Sequence, residues 1–70
     1  MAEQDNSALA ILRRKQVEDR VGLRRSTIYQ GVADGTFPRP VRLGARSVGW
    51  LTHEVDRWLA DRVAAREGVK

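Results

Sequence analysis

The 70-residue sequence predicts a mainly α fold with a two-stranded β wing, three helices and one β-hairpin in a winged helix-turn-helix arrangement. Three observations predict it. Two short segments with the apolar spacing of a helix stand in tandem, each followed by a glycine. The next stretch, FPRPVRLGARSVGW over residues 37–50, holds both prolines and alternates with a period of two. From Thr52 onward the spacing is helical again. Residues 1–10 are expected to form a flexible arm, 11–67 the domain and 68–70 a short tail.

The first helix is expected over residues 15–21, with Val17 and Val21 one turn apart as its buried stripe and Gly22 as its stop. Leu23 opens a tight connection. The second helix is expected over residues 25–34, with Ile28 and Val32 inward and Gly35 closing it. At about 100° per residue, Ser26, Tyr29, Gln30 and Ala33 share the opposite face, which is polar or small and rich in hydrogen-bonding groups. Gly31 costs about 1 kcal/mol relative to Ala inside a helix, so it marks either a close approach to the backbone or a weak helix.

In the hairpin the period-two pattern places Val41, Leu43, Val48 and Trp50 on the buried face and Arg42 outward. Gly44 is expected to supply the positive φ of a tight turn, with Arg46 by the tip. The third helix is expected from Thr52, as its N-cap, to residue 66. Glu54 and Asp56 lie in its favourable first turn, and Val55, Trp58, Leu59 and Val63 form its apolar stripe. Trp58 is assigned to the core.

The net charge of +4 matters less than where it sits. From Arg13 to Arg46 nine basic residues face three acidic ones, whereas the first twelve residues carry only Glu3 and Asp5, and the segment from Leu51 balances four bases with four acids. An excess confined to the middle of the chain is the footprint of a polyanion binder; a solvated basic surface is the plainer alternative.

The residues for other chemistry are missing. The chain has no cysteine, which excludes disulfides and thiolate metal ligands, and its one histidine, His53, has no partner type for a zinc site. No cofactor or metal is expected, and no phosphate-loop, dinucleotide or nucleophile-elbow string occurs. The longest apolar run, Ala8 to Leu12, is far short of a membrane span, so a soluble protein of the cytoplasm is expected.

The run LRRKQVEDRVGLRRSTIYQGVADGTFPRPVRLGARSVGWLTHEVDRWL resembles the small phage and prophage proteins of the AlpA type, relatives of the excisionases, whose fold is similar to that of the MerR regulators. The resemblance rests on Gly22 to Tyr29, Gly35 to Gly44, Arg46, Trp50 and Glu54 to Leu59, and covers about residues 12–66. It departs at Arg24, where the family commonly has a serine, so a capping hydroxyl is lost and a phosphate-seeking guanidinium gained; Ser26 is then expected to take over part of the capping.

The resemblance implies a non-enzymatic protein that binds double-stranded DNA next to the nucleoid of a bacterial host. Within it, an excisionase, and more specifically one of an actinobacterial phage, would bind and bend attachment-site DNA in several self-associating copies and assist a phage integrase. A transcriptional regulator of prophage genes is the alternative, and a protein-interaction module without DNA binding is a second. In the DNA-binding readings Arg25, Ser26, Thr27, Tyr29 and Gln30 meet bases and phosphates, Arg42 and Arg46 carry the wing along the backbone or a minor groove, and Lys15 and Arg24 anchor phosphates. Arg39, between two prolines, is left unassigned.

Overall fold

A computed structural model describes residues 10–68. Its elements in chain order are β1 (Ile11–Leu12), α1 (Arg14–Val21), α2 (Arg25–Asp34), β2 (Val41–Arg42), β3 (Val48–Leu51) and α3 (Thr52–Gly68). The fold is mainly α with a β wing, and its antiparallel sheet has three strands in the order β1-β3-β2, one more than the hairpin alone supplies. Of the arm expected over residues 1–10, residues 1–9 lie outside the described residues, as do 69 and 70 of the tail. The Ala10 carbonyl accepts both the Thr52 N–H, at 2.8 Å, and the Thr52 hydroxyl, at 3.0 Å.

Both glycine stops hold. Gly22 and Gly35 adopt left-handed backbone, with φ of 73° and 82°, and end α1 and α2. Two arginines, Arg13 and Arg24, occupy the N-caps of these helices in extended conformation, and a guanidinium has no acceptor with which to cap. At α1 the Gln16 side chain makes up for this, accepting the Arg13 N–H at 2.8 Å. At α2 the N-cap contributes no side-chain hydrogen bond, as the loss of serine at position 24 implies.

The core comprises Val17 of α1, Ile28 of α2, Phe37, Trp50 of β3 and Val55 of α3, all buried. Full burial of such a side chain is worth about 1.5–3 kcal/mol, so these five hold the elements together. Two indoles clamp the proline segment: Trp50 Nε1 donates to the Pro38 carbonyl at 2.8 Å and Trp58 Nε1 to the Thr36 carbonyl at 2.7 Å. Gly31 is the close approach that its position suggests. A Cβ there would lie 2.9 Å from the Phe37 Cβ, and the Gly31 carbonyl accepts the N–H groups of Thr36 and Phe37.

Four expectations are corrected. Val41 pairs with Gly49 and Arg42 with Val48. Residues directly opposite across a ladder share a face, so Arg42 stands on the side of Val48, while Val41 and Leu43, 38% and 45% exposed, stand on the other. The expected inward set thus holds on β3, where Trp50 is buried and Val48 packs on the core, and fails for Val41 and Leu43, which stand one register step out. Gly44 has no positive φ, because a longer loop, closed by the N–H groups of Leu43 and Gly44 on the Ser47 carbonyl, needs none. Thr52 is the first residue of α3 rather than a flanking cap, since β3 runs straight into the helix and its hydroxyl is spent on Ala10. Val63 is 50% exposed, because α3 is exposed on every side from Ala60 to Arg66.

One exposed pair ties α1 to α3: Arg20 donates to both carboxylate oxygens of Asp56, at 2.7 and 3.2 Å. This hydrogen bond holds the Asp56 carboxyl below its ordinary pKa range and raises Arg20 above its own.

Candidate nucleic-acid interface

Cations from three elements meet at one concave place. Arg13 and the first turn of α1, Arg14 and Lys15, face Arg25 of α2 and Arg46 of the wing loop across a cleft of about 390 Å³. Tyr29 and Val48 complete the lining, and no acidic residue takes part in it. Arg14 also pairs with Glu18 one turn along α1. The Arg25 guanidinium lies 5.9 Å from the centre of the Tyr29 ring, and that ring meets Trp50 edge-to-face, so the aromatic pair joins α2 to the wing strand beneath the charges.

With Arg14 paired to Glu18, the other four cations around the hollow repel one another unless an anion fills it. A phosphate is the anion that such a set matches: arginine offers it a planar fork of donors, lysine a compact charge. The neighbouring stripe of α2, Ser26, Gln30 and Ala33, is exposed and lies outside the cleft lining, so it forms a ridge beside the cations.

Of the residues singled out in the sequence, the fold brings Lys15, Arg25, Tyr29 and Arg46 together in the cleft. Ser26 and Gln30 stand on the ridge next to it, and Arg24 is exposed at the α2 N-cap. Arg42, exposed opposite Val48, stands on the wing face that carries this cleft residue. Thr27 is set apart, in a second groove with Trp58 and Arg62. Arg39 lines a third groove where Glu54, Arg57 and Asp61 balance its charge. Arg13 and Arg14 were not singled out, although the run Arg13, Arg14, Lys15 is visible in the sequence. What the sequence does not display is that Arg46, 33 positions beyond Arg13, folds back onto them.

No group of three or more His, Cys, Asp or Glu side chains able to hold a metal occurs among the described residues. Nor is any helix among them long and apolar enough to cross a membrane.

Residues 10–63 match the family described as prophage CP4-57 regulatory protein (AlpA). The chain belongs to the AlpA family. It is 46% identical over 56 residues to an uncharacterized protein of Enterobacteria phage P4, a match covering 80% of this chain and 64% of that one, so the chain spans just under two thirds of the phage protein's length. It is 41% identical over 64 residues to the DNA-binding transcriptional activator AlpA of Escherichia coli K12, covering 83% of this chain and 91% of the relative. The AlpA-family match takes in β1, α1, α2, the wing and most of α3, and therefore every residue of the cation cleft.

Proposed function

We propose that this chain is a sequence-specific binder of duplex DNA that acts as a phage or prophage regulator and carries out no reaction of its own. The observation that carries the reading is the convergence of Arg13, Arg14, Lys15, Arg25 and Arg46 on one cleft beside the polar ridge of α2. With the ridge of Ser26 and Gln30 in the major groove, the cleft cations meet the phosphates along its edge, and Arg24 adds a contact at the start of the helix. Arg42 and Arg46 carry the wing along the backbone or into the adjacent minor groove. Thr27, in its own groove, contributes least. The E. coli relative, named as a DNA-binding transcriptional activator, supports the same class.

Two finer roles use these contacts. An excisionase would bind repeated sites in attachment-site DNA, bend it at a cost of a few kcal/mol offset by contacts between bound copies, and assist an integrase. A transcriptional regulator would occupy a promoter operator, a role that the E. coli relative's name favours. Gel-shift titration of the full chain on fragments covering the phage attachment site and the phage promoters decides between them. Stepwise cooperative complexes on the attachment site support excision, a single tight complex on a promoter supports regulation, and equal smearing on every fragment contradicts sequence-specific binding.

A further inference from the structure

We propose that Asp34 is a positioning residue that sets Gln30 to read adenine, an inference that rests on the DNA-binding reading above. Gln30 Nε2 donates to both carboxylate oxygens of Asp34, at 3.3 and 3.4 Å, across one turn of α2. A carboxylate only accepts, so the amide nitrogen is turned toward Asp34 and the amide oxygen away from it. With one N–H committed, Gln30 presents one acceptor and one remaining donor.

That pair of groups selects among the base edges of the major groove. Adenine offers an acceptor at N7 beside a donor at N6, which complements one donor and one acceptor. Guanine offers two acceptors, N7 and O6, and a glutamine that has given one N–H to Asp34 cannot supply two donors. Cytosine and thymine each offer a single polar group at that edge and leave half of the amide without a partner. Ser26 and Ala33, the small exposed neighbours on the same ridge, leave the amide room to reach the groove floor.

Pairing also restricts a long side chain before DNA arrives, which reduces the ordering cost on binding. The Asp34 charge works in the other direction, since it stands on a surface that must approach phosphates. Asp34 therefore favours specificity at some expense of affinity.

The test is selection of bound duplexes from a randomised library by the full chain and by Gln30→Ala, Asp34→Ala and Asp34→Asn, with circular dichroism confirming that each is folded. The wild type is expected to select a site containing a position where adenine exceeds guanine by about tenfold or more. Gln30→Ala flattens that position alone. Asp34→Ala lowers the adenine-to-guanine ratio there severalfold with total affinity unchanged or raised, and Asp34→Asn, whose carbonyl still accepts, retains the ratio. An unchanged ratio in Asp34→Ala, or an even loss on all sequences, overturns the inference while leaving DNA binding intact. A wild type that selects no site at all overturns the DNA-binding reading with it.

Discussion

Tyr29 and Trp50 meet in an edge-to-face contact, with ring centroids 6.0 Å apart and planes at 63°. The contact links the exposed face of α2 to the strand from which the wing extends, so the angle between helix and wing depends on it. Because Trp50 is fully buried and tied to the Pro38 carbonyl, Tyr29 is the half of the pair that can be varied without opening the core. Tyr29→Phe keeps the edge contact and is expected to melt with the wild type. Tyr29→Ala is expected to lose about 1 kcal/mol, a fall in Tm of roughly 4–8 °C for a domain of this size, and to alter the near-UV dichroism of Trp50. Equal melting of all three proteins would show that the contact does not hold the wing.

Gly31 gives a prediction of opposite sign to helix propensity. Ala is about 1 kcal/mol better than Gly in a helix interior, yet a Cβ here meets the Phe37 Cβ at 2.9 Å, backbone-proximal atoms that cannot swing aside. Gly31→Ala is expected to destabilise by about 1–2 kcal/mol, the usual range for overfilling a packed site, as read from denaturant titration. A stabilised variant would mean that the chain after α2 can withdraw.

The first two helices were legible because each carries its own glycine stop, whereas α3 runs two residues past its expected end at 66. α2 occupies the residues its spacing and Gly35 indicate, and α1 starts one position before the expected one, at Arg14. The wing was legible as an element but not in its register, because Val41, Leu43, Val48 and Trp50 fit a period of two whichever way the strands are offset. β1 was invisible: two residues, Ile11 and Leu12, hold no period, and they form a strand only because Leu51 and Trp50 lie opposite. The same limit governs the cleft. Tyr29 is visible from its helical face and Arg46 from its place by the hairpin tip, and Lys15 and Arg25 follow from the DNA-binding reading, but Arg13 and Arg14 join them only through the packing of α1 on α2 and β3.

The Arg20–Asp56 pair predicts an acid limb in stability. Asp56 titrates lower folded than unfolded, so its contribution is present above the unfolded carboxyl value and is lost as pH falls through the folded one. The stability difference between wild type and Asp56→Asn is expected to be steady from about pH 5 to 8 and to shrink below about pH 4. Urea titrations across that range check it; a difference that grows in acid would contradict the assignment. Because both partners are exposed, added salt is expected to reduce the difference at neutral pH.

The most direct test of the cleft is the salt dependence of DNA binding. Log affinity for a duplex falls linearly with log salt, by about 0.9 for each phosphate neutralised. The full chain, Arg13→Ala, Arg46→Ala and the double variant should be titrated on one selected duplex at several salt concentrations, with Arg57→Ala, from the charge-balanced groove, as the control. A slope that falls by about 0.9 for each cleft arginine removed, by about twice that in the double variant, and not at all for Arg57→Ala is the expected result. A wild-type slope matched by Arg13→Ala and Arg46→Ala, or lowered equally by Arg57→Ala, would contradict a phosphate seat in this cleft.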